Sequence, residues 1–494
     1  MEKQFILAID QGTSSTKTLI FDGDGKAVAR GSVPLKTSYF GDGFVEQNPE
    51  DIYQNVLQSV KACIDDFVRN GGDPSQVVTC GISNQRETFL IWDEHGSPLH
   101  PAVVWQCKRS VQVCEDLKAA GLEQQILDCT GLIIDPYFSG SKVIWLYKNH
   151  PDVKLAIDTG KAYFGTIDTW LLYRLTKGES YLTDYTNASR TLFFNLSSLS
   201  WDEDLMRDLE LAGLNLPGVQ ASSSDFGSTD FEGLFSNHIA IQSMIGDSHA
   251  AAFGEGCFRP GTAKATLGTG CSILMNIGNE LRPAAKGMVS TICWSTEEEV
   301  AYAQEGVIVS CGASIEWLKS ELGILSSASE AERMALSVPD NGGVYLIPAF
   351  SGLGAPYWDM NRKAEIGGLS FSSNKNHIVR AALESIPFQI KDVLAAMEQG
   401  TGLSIFELRL NGGITTNNFV MQGLTNIVSQ KILSMQQPDV SALGAAYLAG
   451  LKAGVFKDIA HLDQLSSHRE TAKTIDEIMM ASYEKWKAAI TPSA

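Results

Sequence analysis

Phe5-Ile-Leu-Ala-Ile-Asp10-Gln-Gly-Thr-Ser-Ser-Thr-Lys17-Thr-Leu-Ile-Phe21 is the stretch on which the reading of the fold turns. An apolar run ends in an aspartate, a glycine turn rich in hydroxyls follows, and a second β-like run begins at Thr18. The turn Asp22-Gly-Asp-Gly25 and a third run, Ala27-Val-Ala-Arg30, complete a predicted β-meander. Ile52, Val56, Val60 and Ile64 fall on a helical spacing within Pro49 to Asn70, and Val77-Val-Thr-Cys-Gly-Ile82 reads as a buried strand.

A related layout returns past the middle of the chain. Gly261-Thr-Ala-Lys-Ala-Thr266 leads into Leu267-Gly-Thr-Gly270, and Cys271-Ser-Ile-Leu-Met-Asn276 gives the next strand. A strand-turn-strand unit present twice predicts two lobes of similar topology with a cleft between them. The glycine-rich break Gly254-Glu-Gly-Cys-Phe-Arg-Pro-Gly261 puts the expected boundary between 1–254 and 255–494. Glu407-Leu-Arg-Leu-Asn-Gly-Gly413 reads as a further strand and glycine turn, and Ala442 to Lys452 as a helix of small residues.

Composition bounds the function. A chain of 494 residues is too long for one ordinary core. With 44% hydrophobic and 19% charged residues it reads as globular, with little room for disorder. A formal charge of −19 argues against nucleic acid and against an anionic membrane. Met1 to Asp10 reads as the approach to a strand and not as a secretory signal, and no apolar run approaches the ~20 residues that span a bilayer. Nine scattered cysteines without a C-x-x-C pair read as reduced thiols of a cytoplasmic protein.

The turn after Asp10 is either a polar hairpin or a phosphate cradle. A glycine lets backbone approach a phosphate, neighbouring N–H groups and hydroxyls hold it, and a cation offsets its charge. The spacing is not that of a P-loop. The second turn, Leu267-Gly-Thr-Gly270, favours the cradle, since two such turns facing across a cleft can clamp a polyphosphate from both sides. An aspartate at a strand end such as Asp10 can hold Mg²⁺ through water. Gly412-Gly413 with Asn417 suits a flat adenosine.

Several stretches resemble the glycerol kinases of the FGGY carbohydrate kinase family. They are Gly81-Ile-Ser-Asn-Gln-Arg-Glu87, Val104-Trp-Gln-Cys-Lys-Arg109, Ile134-Asp-Pro-Tyr-Phe-Ser-Gly140, Gly165-Thr-Ile-Asp-Thr-Trp170 and Thr183-Asp-Tyr-Thr-Asn-Ala-Ser-Arg190, with Pro348 to Trp358 and Ala442 to Gly450. The resemblance implies an α/β fold of duplicated actin-like ATPase (ribonuclease H-like) domains around an interdomain cleft. It also implies ATP with Mg²⁺, γ-phosphoryl transfer to a terminal hydroxyl, and a homodimer or homotetramer. Position by position, it implies that Arg86, Glu87, Trp105 and Tyr137 bind the polyol and that Asp247 is the catalytic base. Thr13, Ser14, Ser15, Lys17, Thr269, Gly312, Glu316, Gly413 and Asn417 fall at nucleotide positions, and Asp10 at the metal.

The chain departs from the pattern at Ser248, where glutamine is usual, and at Ser272, where an aromatic is usual. Two hydroxyls in place of an amide and a ring suggest a larger, more polar pocket, so a longer polyol or ketose (erythritol, a pentitol, xylulose) stands beside glycerol. The alternative is that His249 or Phe253 refills the space. Lys17 stands for the usual arginine and Glu316 for the usual glutamine. An actin-like ATPase switch is the competing class, and the acceptor residues argue against it.

Overall fold

The structure is a computed structural model and describes residues 3–490 except 360, 436 and 475. The first sheet contains strands β1 (Phe5–Gln11), β2 (Ser15–Phe21), β3 (Ala27–Pro34), β4 (Val77–Asn84), β5 (Ser223–Thr229) and β6 (Ile239–Gly246). Their spatial order is β5-β6-β4-β1-β2-β3. The meander β1-β2-β3 is antiparallel, while β4 and β6 run parallel to β1. This register sets Asp10 opposite Lys17 on one side and Ser83 on the other.

The second sheet repeats the pattern with β7 (Thr262–Leu267), β8 (Cys271–Gly278), β9 (Val289–Ser295), β10 (Val300–Ile308), β11 (Glu407–Asn411), β12 (Lys431–Met435) and β13 (His468–Glu470). Its order is β9-β10-β8-β7-β11-β12-β13. Strands β7, β8 and β10 are antiparallel neighbours, β11 and β12 run parallel to β7, and an antiparallel edge strand closes the end, as in the first sheet. The repeat read from residues 12 and 268 is thus a repeat of whole sheets.

Helix α1 (Pro49–Arg69) follows local rules: Asn48 caps it by accepting from Glu50 N, proline starts it, and acidic residues fill its first turn. Ile52, Val56, Val60 and Phe67 form its buried face. Helix α2 (Ser139–Asn149) lies in the inserted region that also contains the five-stranded sheet of 38–40, 44–47, 89–92, 102–103 and 163–166. Helix α3 (Asp247–Gly254) leaves β6, α4 (Gly312–Ser320) leaves β10, α5 (Lys375–Thr401) and α6 (Asn418–Ile427) flank β11, and α7 (Val440–Lys452) follows β12.

Helices α3 and α7 occupy matching places in the two repeats and pack on each other. A Cβ on Gly444 would lie 1.9 Å from Ala250 O, and one on Gly254 2.3 Å from Val440 O. Only glycine permits this approach. Residue 254 ends α3 and residue 262 begins β7, yet α7 lies on β1, β4 and β6 of the first sheet. Helix α7, from the second half of the chain, thus packs on the sheet of the first.

Candidate active site

One half of the candidate site begins where β4 ends. Gln85 to Thr88 leave the sheet as a buried turn, and Glu87 takes a left-handed φ of 58°, rare for a non-glycine residue. That conformation sends the Arg86 and Glu87 side chains to different partners. Arg86 Nη2 donates to Glu305 Oε1 at 2.9 Å, and Arg86 Nε lies 3.3 Å from Asp247 Oδ1. Arg190 Nε donates to Glu87 Oε1 at 2.6 Å, and its Nη2 lies 2.6 Å from Glu305 Oε2. Arg86 and Glu87, adjacent in sequence, belong instead to a buried ring of four charges closed by Arg190 and Glu305. Burial works against the Glu305 carboxylate, but Arg190 and Arg86 outweigh it and hold it well below the usual range.

Aromatic side chains wall this ring. The Tyr137 hydroxyl is 3.4 Å from Arg86 Nη2, and its ring meets Trp105 edge-on at 5.6 Å between centroids. Trp105 Nε1 donates to Thr13 Oγ1 at 3.0 Å, so this aromatic wall is bonded to the turn after Asp10. Asp247 is the first residue of α3, capped from the preceding Gly246, with its side chain 40% exposed. Beside the buried Glu87 and Glu305, it is the carboxylate open to a bound reactant.

Ser248 and Ser272 meet at 3.1 Å between hydroxyl oxygens. Ser272 donates to Glu305 Oε1 at 2.9 Å, and the Lys264 ammonium donates to Ser248 Oγ. A hydroxyl has one proton. Since that of Ser272 goes to Glu305, Ser248 must donate to Ser272, and the chain runs Lys264 → Ser248 → Ser272 → Glu305. Both serines keep acceptor capacity and have no proton left to give. His249 is buried beside them, kept neutral chiefly by burial and also by the nearby Arg86 and Arg190 charges.

At the end of β1, Ser83 Oγ donates to Asp10 Oδ1 at 3.2 Å. Burial and the neighbouring Asp247 charge push the Asp10 carboxyl up to about 6. Lys17 Nζ donates to Asp439 Oδ1 at 2.8 Å, so the cation of this turn is already held by an aspartate at the start of α7. Thr13 takes the Trp105 bond, Ser14 is exposed, and Ser15 opens β2.

The other turn is braced by α4. Gly312 N donates to Gly268 O at 2.9 Å and Ala313 N to Thr269 O at 3.0 Å, leaving the Thr269 side chain exposed. Among the described residues, no atom lies within 4 Å of where a Cβ on Gly413 would stand, which leaves a flat, open shelf. Asn417 Oδ1 accepts from Val420 N at 3.1 Å, capping α6, so its amide NH₂ is the part left for a ligand. Glu316 points to solvent and pairs with Lys319 at 3.0 Å.

The structure therefore gathers Arg86, Glu87, Trp105, Tyr137, Asp247, Ser248 and Ser272 into one cluster. Thr269, Gly312, Gly413 and Asn417 surround the second turn. Glu305 and Asp439 lie outside every stretch singled out in the sequence, Lys264 and Arg190 lie inside such stretches without a role, and His249 had no more than a space-filling part. Lone charges inside apolar strands, such as Glu305 in Val300–Ile308 and Lys264 in Thr262–Leu267, were the available signal.

Comparison with known proteins fits this geometry. The N-terminal domain of the FGGY family of carbohydrate kinases matches residues 5–254, and its C-terminal domain matches residues 263–453. The chain belongs to this family. It is a phosphotransferase that uses ATP and an alcohol acceptor. Among its relatives, a glycerol kinase of Carboxydothermus hydrogenoformans is 42% identical over 494 residues, covering 99% of this chain and 98% of that one. A glycerol kinase of Shewanella sp. is 44% identical over 464 residues, 94% and 93% of the two chains. The fold matches that of Plasmodium falciparum glycerol kinase with ADP at a TM-score of 0.92 and 32% identity, over 99% and 98% of the chains. A xylulose kinase from Lactobacillus acidophilus, at 21% identity and a TM-score of 0.87 over 98% and 96%, shares the fold.

Proposed function

We propose that this chain transfers the γ-phosphoryl group of ATP to a terminal hydroxyl of glycerol. The observation that carries the reading is Asp247, an open carboxylate at the head of α3 between Arg86 and the turn after Asp10. The full-length likeness to glycerol kinases supports the choice of acceptor. Arg86 Nη1 is buried and has no partner among the described residues, so a substrate hydroxyl would satisfy it. Trp105 and Tyr137 would cover the carbon chain. The acceptor oxygen forms the new bond to phosphorus as the bond to the β-phosphate oxygen breaks and ADP leaves. Asp247 orients that hydroxyl and takes its proton late, as a loose transition state requires.

Asp10, whose carboxyl is crowded by Asp247, fits the proposed role of a magnesium ligand. Among the described residues no three His, Cys, Asp or Glu side chains gather to hold a metal by themselves, which accords with an ion bound through water and phosphate. When bound, the ion would neutralise phosphate charge. Thr13, Ser14 and Ser15 would serve the phosphates, and Thr269, Gly312, Gly413 and Asn417 the rest of the nucleotide. Nine free thiols accord with a reducing cytoplasm, and among the described residues no helix is long and apolar enough to cross a membrane. A homodimer or homotetramer belongs to the same proposal.

A four- or five-carbon polyol or ketose is the second reading, favoured by the hydroxyls of Ser248 and Ser272. Their protons are spent within the protein, so they offer a longer acceptor only lone pairs, and glycerol is the preferred reading. The test is Asp247→Asn with an acceptor panel. Glycerol should be the best acceptor, and the variant should lose at least ~100-fold in kcat while keeping its fold. Near wild-type turnover would remove Asp247 from its role, and a preference for a longer acceptor would replace glycerol.

A further inference from the structure

Lys142 lies in the second turn of α2, with none of its surface open to solvent. Its ammonium donates to three successive carbonyls: Pro136 O at 2.5 Å, Tyr137 O at 2.8 Å and Phe138 O at 2.9 Å. A buried cation stripped of water is costly, and here three peptide dipoles replace the hydration shell. The segment they come from is the one that places Tyr137. One residue further on, Ser139 Oγ donates to Glu87 O at 2.8 Å, bracing the left-handed turn that sends Arg86 and Glu87 apart.

We propose that Lys142 is a positioning residue of the acceptor site: its charged ammonium gathers the 136–138 carbonyls, and so fixes Tyr137 and the Glu87 backbone in the geometry that binds the polyol. The inference rests on the reading of Arg86, Glu87 and Tyr137 as the acceptor cluster. Lys142 is too enclosed to meet a ligand itself, and its three donors are all in use. A neutral amine retains two donors, so at least one of the three carbonyls would be released on deprotonation.

That makes acceptor binding dependent on pH. The titratable and charged groups acting on the ammonium are Glu87 from the β4 turn, Cys107 and Cys114 from the inserted region, and Asp135 from its own loop. Burial lowers the lysine to about 8, and these neighbours offset the burial only in part. The sign for folding is opposite to the sign for binding. A lysine lowered in the folded state holds fewer protons there than in the unfolded chain, so its contribution to stability rises with pH above about 8. Acceptor affinity falls across the same range. A lysine that merely filled space would not separate the two.

The experiment measures KM for glycerol and for ATP from pH 6.5 to 9.5 in the full-length protein, with Lys142→Met, Lys142→Arg and Tyr137→Phe beside it. In the unmodified protein, glycerol KM should rise at least ~5-fold through pH 8 while ATP KM stays within ~2-fold. Lys142→Arg, charged at every pH, should flatten that rise. Lys142→Met should raise glycerol KM ~10-fold or more at pH 7 with no inflection near 8. A flat glycerol KM in the unmodified protein, or an inflection that persists in Lys142→Arg, overturns the proposal even if Lys142→Met fails to fold. If Tyr137→Phe raises glycerol KM while the lysine variants do not, only the role of Lys142 falls. If Tyr137→Phe changes nothing, the acceptor reading itself falls, and this inference with it.

Discussion

Replacing Glu305 with glutamine keeps the shape of the side chain and removes one charge from the buried ring. In the native ring the Glu305 carboxylate lies 2.9 Å from Arg86 Nη2 and 2.6 Å from Arg190 Nη2. At an effective dielectric of about 20, each contact is worth roughly 6 kcal/mol before desolvation is counted. Taking a carboxylate out of water consumes much of that gain, and removing one member of a buried charge group costs about 3–5 kcal/mol. Glu305→Gln leaves two guanidinium groups with Glu87 as their one fully buried counter-charge. The expected loss is therefore about 3–5 kcal/mol, read as a shift in the urea midpoint at pH 7.5. Arg86 is also freed to close on Asp247, so glycerol KM should rise at least ~10-fold.

A second substitution tests the cause. Arg190→Gln added to Glu305→Gln removes the surplus cation, so the double variant should lose clearly less than the sum of the single losses. Acid gives an independent check. Glu305 is held below the usual carboxylate range, so its stabilising contribution is present above the unfolded value near ~4.3 and fades as pH falls through the lower folded value. The gap between the two proteins should hold from pH 5 to 8 and narrow only in strong acid. A loss under ~1 kcal/mol with unchanged glycerol KM would refute the idea that this ring shapes the acceptor site.

Two further outcomes follow from the geometry. Asp10, raised to about 6, contributes favourably below its unfolded value near ~3.9 and loses that contribution as pH rises through 6. Asp10→Asn should abolish turnover yet exceed the native protein in stability at pH 8, by about 1–3 kcal/mol, and match it near pH 4; an unchanged difference between the two pH values would show that Asp10 is not strained by burial and the Asp247 charge. Gly444→Val would put a Cβ 1.9 Å from Ala250 O, and should cost ~2 kcal/mol or more in thermal unfolding; a Gly444→Val protein that melts with the native one would mean that the α3–α7 crossing yields easily.

The fold was legible where the signal was local. The apolar run of β1, the hydroxyl turn and its second appearance near residue 268 can be read within a dozen residues, as can the cap and apolar face of α1. The small residues of α7 signalled close packing but not its partner, and the sheet it covers lies in the other half of the chain. The site was legible only at residues lying inside recognisable stretches. Arg86 and Glu87 look like a pair because they are neighbours; the left-handed φ at Glu87 parts them, and no local pattern announces that. Glu87 meets Arg190 across 103 positions, and Lys17 meets Asp439 across 422. Such pairings come from the arrangement of the sheets, and their charges read in sequence as ordinary surface residues.

The bond from Trp105 to Thr13 has a consequence for the order of events. Thr13 accepts the indole proton and still has its own to give. A phosphate oxygen arriving at that hydroxyl would complete a two-step relay, indole to hydroxyl to phosphate, in which each bond polarises the next. The wall proposed to cover the polyol would then stiffen when nucleotide arrives. Free-energy coupling between two sites is the same in both directions, so a polyol that orders Trp105 must tighten the grip on phosphate by an equal factor. If Trp105 and Thr13 hold the two substrates as proposed, a single shared hydroxyl would make each report the presence of the other.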